Sequence, residues 1–77
     1  MKVAKSKLYY EVGKLYPPSI ENRNGMWVIV LHVINTTVKN RHPILLNDKG
    51  KIRKFKTLDA AYNACKSIGF KHINGIG

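Results

Sequence analysis

The stretch Met26 to Ile34, "MWVIVLHVI", limits the fold more than any other part of the chain. Trp27, Val28, Ile29, Val30, Leu31, Val33 and Ile34 are β-formers or apolar, so a strand built from them is greasy on both faces. Such a strand sits centrally and is covered on both sides, at least in part. The run is far shorter than the roughly 20 apolar residues a membrane span needs. At 77 residues the chain is a single small domain. A domain of this size buries only about 60–65% of its unfolded surface, so its core is thin.

The cover comes from a helix whose signals are all local. Leu58, Ala61, Tyr62, Cys65 and Ile68 form one apolar stripe at helical spacing. Thr57 is a good N-cap, and Asp59 in the first turn complements the helix dipole. Gly69 is a natural residue just past the end, with Phe70 as the hydrophobic closer. These features predict a helix over Leu58 to Ile68.

Upstream, Pro43 opens a strand through Ile44 to Leu46, "NDKG" (Asn47 to Gly50) makes a hairpin turn, and Lys51 to Lys56 is the return strand. Strict alternation puts Ile52 and Phe55 on opposite faces of that strand. Either a bulge re-aims one of them or the strand is partly buried on both sides. Asn35 to His42 reads as a loop or strand end with a basic rim. Near the N-terminus, Leu8, Val12 and Leu15 recur at helical spacing within Lys5 to Tyr16, although the tyrosines would also suit a strand. A helix is favoured there, with Pro17-Pro18 ending it. Ser19 to Gly25 reads as a polar connection ending in turn chemistry, and His72 to Ile76 as a short edge strand.

The expected fold class is therefore α+β. It is a small antiparallel three-stranded sheet with one C-terminal helix packed on one face, and the N-terminal segment adds a helix or a strand. The other face of the sheet would be free, which on a basic protein makes it a candidate for contact.

Charge points to the partner. Fourteen Lys and Arg against four Asp and Glu give a net charge of +10 and a pI near 10.1. Lys39, Arg41, Lys49, Lys51, Arg53, Lys54 and Lys56 place seven of the fourteen between positions 39 and 56, offset only by Asp48. Two antiparallel strands so charged can enter a major groove or lie along phosphates. The helix start after Thr57 offers N–H groups that also favour phosphate. Arg41 and Arg53 suit base reading, because a guanidinium grips guanine with two bonds, while lysines hold phosphates. The plain alternative is a solvated hairpin whose lysines guard an edge strand. The charge density favours an electrostatic footprint.

Other chemistry has less support. Tyr9, Tyr10, Tyr16 and Trp27 could stack on bases, but none is interleaved with the basic hairpin, and Trp27 and Phe55 read as core. His32, His42, His72 and Cys65 show no zinc-type spacing. His32 on an apolar strand reads as a hydrogen-bonded core histidine. Of the four carboxylates, Asp48 and Asp59 have turn and helix-start duties, so no catalytic set emerges. Cys65 on the buried stripe has its pKa raised and is a poor nucleophile. No enzyme activity, cofactor or metal is expected. A single cysteine permits no intrachain disulfide, which fits a reducing cytosol. "MKVAKSK" is followed by no apolar stretch, so no signal peptide is expected.

The segment "RKFKTLDAAYNACKSIGF", Arg53 to Phe70, resembles small accessory proteins carried by bacterial plasmids and phages. The resemblance implies a mobile-element protein that acts on DNA or on a host machine, and it carries over no defined site. The leading expectation is a cytoplasmic, non-enzymatic nucleic-acid-binding domain, DNA more than RNA, using the basic hairpin. The rival is a small inhibitor or adaptor that docks on a host protein or nucleoprotein through the same lysines. Monomer and homodimer both remain open.

Overall fold

The computed structural model describes residues 1–34 and 43–77. The elements run α1 (Val3–Glu11), β1 (Leu15–Arg23), β2 (Met26–Val33), α2 (Leu58–Ile68) and β3 (Gly75–Ile76). The class is α+β, as expected, but the three-stranded sheet is mixed, in the order β2-β1-β3. β1 and β2 are antiparallel, whereas β3 joins β1 in parallel, with Ser19 opposite Gly75 and Ile20 opposite Ile76.

β1 occupies the segment that reads as a stop followed by a polar connection. Its two prolines are accommodated because the ladder is broken at that point. Tyr16 pairs with His32 and Ser19 with Val30, so β1 carries one extra residue there, a bulge where missing N–H groups cost no ladder bonds. The Pro18 carbonyl accepts from the Asn74 N–H at 2.7 Å, tying β3 to the bulge. Asn24 and Gly25 close the β1–β2 hairpin with φ of 55° and 81°. Two left-handed residues in a two-residue loop match the twist of the flanking strands, and Asn-Gly adopts that pair most readily.

α1 is a helix, though not the one its spacing implies. It stops at Glu11, and the chain turns through Gly13 at φ 72°. Leu8 and Val12 are exposed, while Leu15 is buried on β1. The fully buried residue of α1 is Ser6, whose hydroxyl donates to the Lys2 carbonyl at 2.9 Å, while Val3, Tyr9 and Tyr10 pack partly buried against the core.

α2 has the boundaries its sequence predicts. Thr57 Oγ1 accepts from the Ala60 N–H at 3.1 Å, and Gly69 at φ 128° follows the last turn. A Cβ on Gly69 would meet the Tyr10 ring at 2.6 Å, so glycine there permits both the turn and the close seating of α1. The core gathers Leu15, Ile20, Ile29, Leu31, Leu45 and Phe55 against Ala61, Ala64, Cys65, Ile68 and Phe70. Val28 and Val30 alternate with Ile29 and Leu31 on β2, yet they are only 2% and 5% exposed. The sheet face away from α2 is therefore closed along β2 and is no open contact surface. A strand apolar on both sides has to be covered on both.

Candidate nucleic-acid interface

The basic segment starts on the outer edge of β2. Leu31 donates to the Pro43 carbonyl and Leu45 to the Ile29 carbonyl, each at 2.8 Å, so residues 43–46 run antiparallel to β2. The Met1 amino group and carbonyl bond Ile44 and Leu46 from the far side, at 2.9 and 2.8 Å. The chain then leaves the sheet as a pinched finger. Leu46 bridges Ile52, and Asn47 donates to the Lys51 carbonyl at 2.8 Å. Asn47 Oδ1 also accepts from the Lys49 and Lys51 N–H groups at 2.9 and 3.1 Å, and Gly50 turns the tip at φ 81°. The expected hairpin is thus present, reduced from two strands to isolated bridges.

Phe55 brings the finger back to the sheet. It exchanges two backbone hydrogen bonds of 2.8 Å with Trp27 and is 8% exposed, whereas Ile52 is 42% exposed. Ile52 is the side chain left outside, so the segment is not buried on both sides. Trp27 is half-buried against the core, as expected of the pair.

The cations sit on this projection. Lys49, Lys51, Arg53, Lys54 and Lys56 are all exposed. The Arg53 guanidinium carbon lies over the Phe55 ring, 5.1 Å from its centre, a cation–π contact. Among the described residues the one salt bridge joins Arg23 to Glu21 at 3.1 Å, so no described cation of the finger is neutralised by a carboxylate. Lys39 and Arg41 lie outside the described residues, as does His42. The start of α2 offers less to an anion than its position implies. Thr57 already takes the Ala60 N–H, and Asp59 places a negative charge in the first turn.

The remaining candidates fall elsewhere. His32 is half-buried with its Nε2 2.8 Å from Ser19 Oγ, a cross-strand hydrogen bond on β1–β2. Among the described residues no three His, Cys, Asp or Glu side chains converge as metal ligands, and no helix is long and apolar enough to cross a membrane. Tyr16 is 56% exposed, and Lys5 and Lys66 lie 5.6 and 4.7 Å over the rings of Tyr9 and Tyr62. Tyr10 meets Phe70 edge-on at 4.8 Å, a contact that sequence spacing gave no sign of.

Cys65 is 1% exposed, and burial pushes its thiol up to about 11. The folded chain therefore resists ionisation that the unfolded chain permits above pH 9.0. Below that pH the group costs nothing. Between 9.0 and about 11 its contribution turns increasingly unfavourable, so stability falls with rising pH. Thiol labelling at pH 8 is expected to be slow in buffer and fast in denaturant. Fast labelling of the folded chain would show that the α2 stripe is not closed over the thiol.

No protein-family model, curated protein or solved structure matches the chain.

Proposed function

We propose that the chain is a non-enzymatic nucleic-acid-binding domain, DNA before RNA, whose finger from Asn47 to Lys56 meets the phosphate backbone. One observation carries this reading: five exposed cations share a single anchored projection with no carboxylate partner among the described residues. Cations placed only for solubility gain nothing from being gathered, because like charges crowded together repel. Arg53, in cation–π contact with Phe55, is the described arginine of the finger, and a guanidinium can make a two-bonded contact to phosphate or guanine. The lysines supply point charges that fix position without reading sequence.

The test is a salt titration of duplex DNA binding. Each phosphate contact contributes about 0.9 to the slope of log K against log salt, so a finger engaged through its five exposed cations gives a slope of about −4 to −5. A slope near zero rejects the reading. So does a stoichiometric complex with a host protein that survives both nuclease and moderate salt, which would instead support an inhibitor or adaptor carried by a mobile element.

A further inference from the structure

At the opposite end of α2 from the finger lies a cleft of about 180 Å³ lined by Tyr10, Leu15, Pro17, Phe70, Lys71 and His72. Its walls come from three parts of the chain: the end of α1, the start of β1 and the segment leaving α2. The volume falls below the ~300–1,000 Å³ of drug-sized pockets, a scale that suits one planar ring rather than a whole cofactor. Its wall is aromatic and apolar: Tyr10 stands edge-on to Phe70 at 4.8 Å and is pinned by its close approach to Gly69. Its rim holds exposed Lys71 and His72, and no lining residue is acidic. An apolar slot with a lysine cation and an imidazole at its mouth fits a flat ring that carries an anion.

We propose that this cleft takes one unstacked base of a single-stranded or frayed nucleic acid, with Lys71 on its phosphate and the imidazole of His72 at the mouth. The inference rests on the nucleic-acid reading and extends it from backbone attachment to a preference for unpaired nucleotides. Stacking on aromatic side chains tolerates any base, so the site would select strandedness rather than sequence. The geometry suits a continuous path. α2 is 11 residues long, so its start, where the finger ends, and its end, where the cleft begins, are about 16 Å apart along its axis. That is about five nucleotides of a duplex strand at 3.4 Å each.

The experiment uses the full chain and two readouts. In NMR spectra, thymidine monophosphate is expected to shift the ring resonances of Tyr10 and Phe70 together with those of Lys71 and His72. Inorganic phosphate is expected to move Lys71 and His72 alone. In binding assays at 0.1 M salt, the double variant Lys71→Ala/His72→Ala is expected to lose about tenfold in affinity for a duplex with a single-stranded tail, as for one lost phosphate contact, and to bind the blunt duplex as before. Both residues are exposed, so an unchanged melting temperature will show that the fold is intact. Silent Tyr10 and Phe70 rings, or equal losses for tailed and blunt DNA, would overturn the cleft. The two proposals separate cleanly. A chain that shifts with the mononucleotide but shows no salt-dependent duplex binding keeps the cleft and loses the finger. A chain that binds duplex while its rings stay silent keeps the finger and loses the cleft.

Discussion

Neutralising the finger by the combined substitution Lys51→Gln, Arg53→Gln, Lys54→Gln and Lys56→Gln is expected to weaken duplex binding by on the order of 10³-fold at 0.1 M salt. The figure follows from counterion release. Each phosphate contact contributes about 0.9 of a decade in affinity for every decade of salt below 1 M, so four contacts give about 3.6 decades at 0.1 M. The same arithmetic predicts only about a tenfold loss at 0.5 M, and a slope shallower by between 3 and 4, roughly. Parallel curves for the two proteins would mean that these side chains do not sit on phosphates. The net charge falls from +10 to +6 while no buried side chain changes, so the variant should melt no lower than the parent. A fall in melting temperature would identify the loss of binding as a loss of fold.

The largest effect on stability is expected at the root of the finger. Phe55→Ala removes a ring that is 8% exposed and packs between β2 and α2, a change that typically costs about 3–5 kcal/mol. A domain of this length has a total stability of roughly 4–12 kcal/mol at about 0.05–0.15 kcal/mol per residue. The substitution therefore consumes between a quarter and all of it. Urea titration should show a lower midpoint with an unchanged m-value. Phe55→Leu keeps most of the volume and should cost under about 1.5 kcal/mol. Because it also removes the ring beneath Arg53 while keeping the charge, it separates the cation–π contact from simple electrostatics. A loss below about 1 kcal/mol for Phe55→Ala would mean that the ring is not part of the common core.

What could be read from the sequence was what local rules specify. α2 needed only a cap, a stripe and a stop, all within Thr57 to Phe70 and all found in place. The Asn47–Gly50 turn and the burial of Phe55 were legible for the same reason. β1 was not. Two prolines ordinarily end a strand, and only the partner ladder reveals a bulge that tolerates them. The decisive signal was Asn24-Gly25, which in a two-residue loop demands a hairpin; treating it as generic turn chemistry hid the strand before it. α1 leaves Leu8 outside and seats Ser6, with Val3, Tyr9 and Tyr10, toward the core, so the Leu8–Val12–Leu15 spacing pointed to the wrong face. β3 pairs with a strand some 55 residues earlier (Ser19 with Gly75), a non-local choice no window can see. The site divides in the same way. The cations of the finger were visible as composition, whereas the cleft unites Tyr10 and Phe70 from opposite ends of the chain.

The backbone exchange between Trp27 and Phe55 has a practical use. Trp27 is the sole indole in the chain, half-buried at the point where the finger rejoins the sheet. Its emission wavelength thus serves as a native optical gauge of that junction. A finger that lifts away will expose the fluorophore to water and shift its spectrum to the red, while one that stays seated will leave the colour unchanged, with no label attached.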